Sequence, residues 1–272
     1  MPEVMQSLKK HPVISFYLIA FAISWLGWAP QVAASHGLSA FQNPFFQFLL
    51  ILPAFGPALA AIIVVNILSG KTGSKDLLAS LLRWRVGVIW YMLALFGPVA
   101  LLLGAVVLDI LFSDKTPNFG RFGTETWSTG LVALAIALLS NPWEEVGWRG
   151  FALAKLQLRY SACVSTLIVG ILWSLWHLPL FWTKGHPMST LPFLPWLVGV
   201  IAAAFIYTWL YNSSKGSLLI VSLFHISFNT VGSTLATIHT GSHLSLVAVS
   251  GLVAVFLLVT CGPAHLSCRA DS

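Results

Sequence analysis

The fold class this sequence predicts is an all-α, polytopic membrane bundle of about eight transmembrane helices. Three observations predict it. Hydrophobic residues fill 57% of the 272 positions, charged residues only 8%, and the mean hydropathy is +0.86, whereas a soluble domain carries about 25% charged residues. Apolar runs of roughly the 20 residues needed to cross the hydrocarbon core recur along the whole chain. Lysine and arginine gather on alternate connections between those runs. Backbone groups in lipid must be paired within the segment itself, and helices do this.

The candidate spans lie near residues 12–34, 44–69, 86–112, 128–158, 161–183, 193–212, 216–238 and 243–262. The first follows Lys9 and Lys10, but its apolar run from Val13 to Ala34 is longer than the roughly 7–15 residues of a signal-peptide core, so an uncleaved span is expected. The fourth is long and is expected either to project from the bilayer or to kink at Pro142. The stretches AFGPALA (54–60) and LFGPVAL (95–101) look alike. Their flanks do not match, so they read as two separate Gly-Pro kinks rather than a transporter-like repeat. No Ser/Gly-rich linker divides the chain, and residues 1–272 read as a single transmembrane domain.

With the N-terminus inside, the inner segments hold Lys9, Lys10, Lys71, Lys75, Arg83, Arg85, Lys155, Arg159, Lys215 and Arg269; the outer ones hold only Lys115, Arg121 and Lys184. This asymmetry places both termini in the cytoplasm. It also accounts for the net charge of +6 without an anionic partner, and nucleic-acid binding is not expected. Cys163, Cys261 and Cys268 have no paired spacing, which argues against a disulfide framework and against a cysteine zinc site. Cys268 stands fifth from the end, not fourth, so CRADS is not a prenylation signal.

Most charges fall in connections, and Asp109 is near enough to a span end to reach the interface. Glu144, Glu145 and Arg149 have no such escape in the fourth span. Each charge at a helix centre costs about 2.5–3.5 kcal/mol on insertion scales, so these groups must face the bundle interior. Glu145 and Arg149 stand at i and i+4 in the favourable acid-first order. Glu144 is rotated about 100° away and needs a partner from another helix. Two readings follow: Glu145–Arg149 supports a working Glu144 carboxylate, or all three form a structural polar knot. The candidates to meet Glu144 are His177, which shares a face with Trp173 in ILWSLWHLPLF, and the i, i+4 pair His225 and Asn229 in SLLIVSLFHISFNT. His36, His186, His239 and His243 lie near span ends, where solvated histidine is ordinary. His11 and His265 are terminal.

EEVGWR (144–149), WSLWH (173–177) and HISFN (225–229) match Glu-Glu-x-x-x-Arg, an aromatic-x-x-x-His pair and His-x-x-x-Asn. In this order, on three apolar helices, they resemble the CPBP family of CAAX-type and bacteriocin-processing membrane proteases, which includes lysostaphin-resistance-like proteins. The resemblance covers about residues 128–235, the expected catalytic core. One departure is Trp173, where the motif usually has Phe; it still supplies a large aromatic wall. The resemblance implies an intramembrane endopeptidase in which Glu144 and His177 activate water and His225 and Asn229 stabilise the oxyanion. It places Glu145 and Arg149 on the supporting motif positions. A carboxylate taken out of water is a stronger base, and imidazole and amide donors suit a developing oxyanion. The substrate so implied is a peptide or protein, prenylated or membrane-associated, met in membrane lipid.

Family members are often called metalloproteases, so the cofactor expectation is none or a single zinc ion. Glu144, His177 and His225 would make a His₂Glu zinc set. Asn229 is a poor zinc ligand and a good oxyanion donor, which favours the metal-free version. Two other classes use the same cluster differently: a non-enzymatic immunity or interaction protein, and a transporter with a buried ion or proton site.

Overall fold

A computed structural model describes residues 3–268; Arg269, counted above among the inner charges, lies outside the described residues. The chain runs α1 (Glu3–Lys10), α2 (Pro12–Ser35), α3 (Ile51–Ala79), α4 (Val88–Ser113), α5 (Thr124–Glu145), a π-helical segment (Val146–Leu153), α6 (Ala154–Leu156), α7 (Ala162–Trp176), α8 (Leu178–Trp182), α9 (Phe193–Ser213), α10 (Leu218–Ala236) and α11 (His243–Cys261). Short 3₁₀ turns occupy several connections. The long helices alternate in direction. α2 packs on α3, α5 on α3 and α10, α4 on α10 and α11, and α9 on α7 and α11.

Seven helical stretches are long and apolar enough to cross a membrane: Pro12–Ser35, Pro44–Leu82, Val88–Ser113, Ala162–Trp182, Phe193–Ser213, Leu218–Ala236 and His243–Cys261. The protein is a multi-pass integral membrane protein. The eighth expected span is the rod formed by α5, the π segment and α6. It falls outside that set because polar residues bound its apolar run on both sides, Thr124 to Thr129 before it and Ser140, Asn141, Glu144 and Glu145 after it. Its lower half is the most enclosed part of the bundle: Glu144, Glu145, Trp148, Arg149, Phe151 and Leu153 are all buried. Leu18, Phe112 and Val259, by contrast, are more than two-thirds exposed and suit lipid contact (68%, 81% and 79%).

Local sequence explains where the helices bend. The second span ends at Gly70, whose φ of 66° only glycine adopts at no steric cost, and a further helical stretch carries on to Ala79. Pro30, Pro57, Pro98 and Pro142 all sit inside helices, so Pro142 does not end α5. The two Gly-Pro stretches face different partners: Gly56 lies on Ser24 of α2 and Gly97 on Phe224 of α10. Around the π segment, Trp148 packs on Tyr17 of α2 (ring centroids 5.8 Å apart) and Trp176 of α7 (5.6 Å), while Phe151 packs on Phe16 (5.1 Å).

Cys261 and Cys268 lie close together, Cα atoms 4.6 Å apart, because the Gly262–Pro263 turn folds the tail back on α11. Two expectations are corrected. Asp109 does not reach the interface: it is 1% exposed and accepts hydrogen bonds from His239 Nε2 (3.0 Å), Ser245 Oγ (2.6 Å) and the Ser242 amide (3.0 Å). His239 is therefore buried in the α10–α11 turn rather than solvated.

Gly147 sits directly on Pro57 of α3. A Cβ there would stand 2.8 Å from the Pro57 carbonyl carbon and oxygen, and backbone cannot yield as a side-chain tip can. Overpacking of this kind costs about 1–3 kcal/mol. Gly147→Ala is expected to lower the melting temperature of the purified protein in detergent by several degrees; an unchanged melt would show that α3 and the π segment are not held this closely.

Candidate active site

The site begins with a buried carboxylate. Glu145, fully enclosed, accepts from Arg149 Nη1 at both oxygens (3.1 and 3.2 Å) and from His225 Nδ1 at Oε1 (2.8 Å). The acid-first spacing brings Glu145 and Arg149 together although the helix turns π between them. The Arg149 guanidinium lies between two aromatic faces, with Cζ 4.3 Å from the Trp173 ring centre and 4.2 Å from that of Tyr207. Desolvated cation–π contacts of this kind contribute about 2 kcal/mol each. They occupy the side where Arg149 Nη2 has no hydrogen-bond partner among the described residues.

Glu144 points elsewhere, as its rotation from Glu145 requires. Its Oε2 accepts from the Trp173 indole Nε1 at 3.1 Å. Trp173 thus serves both glutamates: its face covers Arg149, the partner of Glu145, and its edge holds Glu144.

His177 stands at a break in its span. α7 stops at Trp176, and His177 forms the joint to α8, with Pro179 following. At this joint the His177 amide turns back to the Ser174 carbonyl (3.1 Å) rather than to Trp173. The Trp173 carbonyl is left to accept from His177 Nδ1 at 2.8 Å. A carbonyl only accepts, so Nδ1 carries the hydrogen and the Nε2 of neutral His177 is the free base. The same logic applies to His225, whose Nδ1 donates to the Glu145 carboxylate, leaving Nε2 for the cavity.

Glu144, Trp173, His177, His225 and Asn229 all line one cavity of about 210 Å³, walled on the far side by α9 and α11. Glu144, His177 and Asn229 also line an adjoining cavity of about 760 Å³ that runs along α5 towards Ser128. The four residues expected to act on substrate therefore border one continuous hollow. His186, in the α8–α9 connection, lies on its edge. Burial pushes its pKa down, so the ring is neutral at pH 7, and its Nδ1 accepts from the Met188 amide (3.2 Å).

Two neighbours were not singled out from the sequence. Asn141 Oδ1 accepts one Nδ2 hydrogen of Asn229 (3.3 Å) and leaves the other for the cavity. Its position one helical turn before Glu144 was the available signal. Tyr207, the second cover of Arg149, carries no signal in an evenly apolar helix.

Metal binding is not favoured by this arrangement. Among the described residues no three His, Cys, Asp or Glu side chains come together as a metal-ligand group. Glu144, His177 and His225 border the same hollow but do not form such a group. A His₂Glu zinc set does not fit these positions.

Removing the arginine tests the buried pair. Arg149→Met would strand the Glu145 charge, and breaking such a pair from one side costs about 3–5 kcal/mol. The variant is expected to melt far below the parent in detergent, with Arg149→Lys between the two; equal melts for all three would show that the pair does not hold the bundle.

The family model described as Type II CAAX prenyl endopeptidase Rce1-like matches residues 126–231. That stretch includes every residue of the site just described. The chain is also similar to CAAX prenyl protease 2 of Methanococcus maripaludis, with 27% identity over 238 residues, covering 83% of this chain and 85% of the relative. The relative is thus matched well beyond the motif-bearing helices. The motifs, their order and their helical setting agree with these matches: the chain is a multi-pass membrane protein whose residues 126–231 are similar to the Type II CAAX prenyl endopeptidase Rce1-like family.

Proposed function

We propose that the protein is an intramembrane endopeptidase in which Glu144 and His177 activate water, and Asn229 with His225 stabilises the oxyanion. The observation that carries this reading is the shared cavity, where a free carboxylate oxygen, an unprotonated imidazole nitrogen and an uncommitted amide hydrogen face one hollow. In the first step Glu144 takes a proton from water as its oxygen bonds to the scissile carbonyl carbon. His177 Nε2 accepts the other water hydrogen and orients the molecule. The carbonyl oxygen, now negative, receives the free Nδ2 hydrogen of Asn229. Collapse of the tetrahedral species breaks the C–N bond. The proton held by Glu144 passes to the leaving amine, giving a carboxylic acid and a free amine.

His225 adds a condition. Its Nδ1 hydrogen is committed to Glu145, so it donates to the oxyanion only as imidazolium, through Nε2. The Glu145 carboxylate, held by Arg149, lies 2.8 Å from His225 Nδ1 and faces that cation directly. The supporting pair therefore governs a donor as well as the packing.

The substrate is a peptide or protein reached in the membrane. A prenylated C-terminus, named for the Methanococcus maripaludis relative, is one chemistry of this class. Both termini are assigned to the cytoplasm: Lys9, Lys10, Lys71, Lys75, Arg83, Arg85, Lys155, Arg159 and Lys215 stand at one end of the bundle, against Lys115, Arg121 and Lys184 at the other.

Glu144→Gln keeps the shape and the Trp173 contact but removes the base; peptide cleavage by the purified protein is expected to fall about a hundred- to ten-thousand-fold, with an unchanged melt. A folded variant that cleaves at the parent rate would end the proposal. Asn229→Ala is expected to lower kcat about a hundred- to a thousand-fold with little change in KM; a change confined to KM would assign Asn229 to substrate binding instead. Prolonged dialysis against a chelator is expected to leave cleavage intact, and loss restored by added zinc would reverse the metal-free assignment.

A further inference from the structure

A separate cavity of about 630 Å³ lies at the basic end of the bundle and shares no residue with the hollow beside Glu144. It forms where two corners of the chain face each other. One is the α1–α2 corner, with Lys10 and His11; the other is the end of α6 and the connection after it, with Lys155 and Arg159. From this mouth a groove rises between α2 and α7, past Leu18 to Ile168 and Leu172. Leu172 stands ten residues beyond Ala162, the start of α7. At about 1.5 Å per residue the groove climbs about 15 Å, which is about half of the hydrocarbon core, or one leaflet.

Mouth and wall differ in chemistry. The mouth holds three cations, Lys10, Lys155 and Arg159. Among the described residues no Asp or Glu lines it, and none of the three cations makes an ion pair. The wall above is apolar at Leu18, Leu68, Ile168 and Leu172, and Leu18 and Leu158 are exposed, so the groove is open sideways to lipid. A smaller cavity of about 340 Å³ adjoins it, sharing Leu68, Lys155 and Leu158 and lined further by the small residues Gly73, Gly150 and Ala154. Lys155 therefore stands where two largely apolar grooves meet.

We propose that this groove binds a diacyl phospholipid with a net-negative headgroup. The phosphate sits among Lys10, Lys155 and Arg159, one acyl chain lies along α2 and α7, and the other enters the smaller groove. Basic pockets between membrane helices take anionic headgroups in this way. A zwitterionic lipid brings its own ammonium group against the same three cations. A soluble phosphate meets the cations but leaves the apolar wall uncovered. Tyr17 belongs to the wall and stacks on Trp148, ring centroids 5.8 Å apart, so a bound chain braces the π segment that carries Arg149. The site depends neither on the protease reading nor on which face of the membrane the termini occupy.

Thermal melting of the purified protein in a non-ionic detergent, with lipid added, tests the site. Phosphatidylglycerol is expected to raise the melt by several degrees at saturation. Phosphatidylcholine with the same acyl chains, and glycerol 3-phosphate at equal concentration, are expected to leave it unchanged. No rise with phosphatidylglycerol, or an equal rise with phosphatidylcholine, would overturn the anionic lipid; a rise with glycerol 3-phosphate would make this a site for a soluble anion instead. Lys155→Gln combined with Arg159→Gln is expected to raise the phosphatidylglycerol concentration at half-effect about thirty-fold, each cation contributing as one basic residue does at an anionic membrane surface. Lys10→Gln, exposed on the other side of the mouth, is expected to raise it about five-fold, and it decides the matter if the double variant melts low without lipid. Lys71→Gln combined with Lys75→Gln removes two basic residues that do not line the groove and is expected to change nothing. Equal weakening by both pairs, or no weakening by any of these variants, would overturn the proposal.

Discussion

Everything at the centre of this protein is arranged around the Glu145 carboxylate. An ion inside a membrane bundle is tolerated only when its charge is balanced and its lone pairs are used. Arg149 supplies the charge and two hydrogen-bond contacts, and His225 supplies the third. Satisfying Glu145 fixes the π segment, the inner half of α10 and, through the rings that cover Arg149, one face each of α7 and α9. Four elements are thus tied to one anion. Glu144, the neighbour of Glu145 on α5, and His177, His225 and Asn229 line the hollow beside that anion, so its packing and the lining of the hollow cannot be separated.

Trp173 is the second point on which the geometry turns. Its ring face, its indole hydrogen and its backbone carbonyl go to three different partners: Arg149, Glu144 and His177. A phenylalanine at this position would supply the face and the carbonyl but no donor for Glu144. In this chain the Glu144 carboxylate is therefore held by a directed hydrogen bond as well as by packing. The break after Trp176 completes the arrangement, since a continuous helix would have spent the Trp173 carbonyl on the His177 amide.

The spans were legible because lipid imposes length and apolarity on them directly. The pairing of Glu145 with Arg149 was legible because it depends only on helical spacing and charge order. The share of His225 in that pair was not: the contact joins residues 80 positions apart, and spacing along one helix says nothing about which histidine arrives from another. The break at His177 was not legible because ILWSLWHLPLF is largely apolar, and only Pro179 marks it. Asp109 and His239 were read as interfacial because each lies near a helix end; together they bury one another, which neither position reveals alone. Tyr207 has no polar neighbour in sequence to distinguish it from the aromatic residues that simply fill space.

The eight residues from Val146 to Leu153 carry a consequence for how the rod is phased. A π turn takes up more residues than an α turn, so it acts as an angular offset between the helix before it and the helix after it. Each residue of offset turns one side relative to the other by about 100°. Upstream, α5 must aim Glu144 at the hollow and Asn141 at Asn229; downstream, Phe151 must meet Phe16 while Gly147 rests against Pro57. A uniform α-helix has a single phase and could not serve both sets of neighbours. The wide turn lets the cavity-facing half and the packing half of one rod keep separate registers.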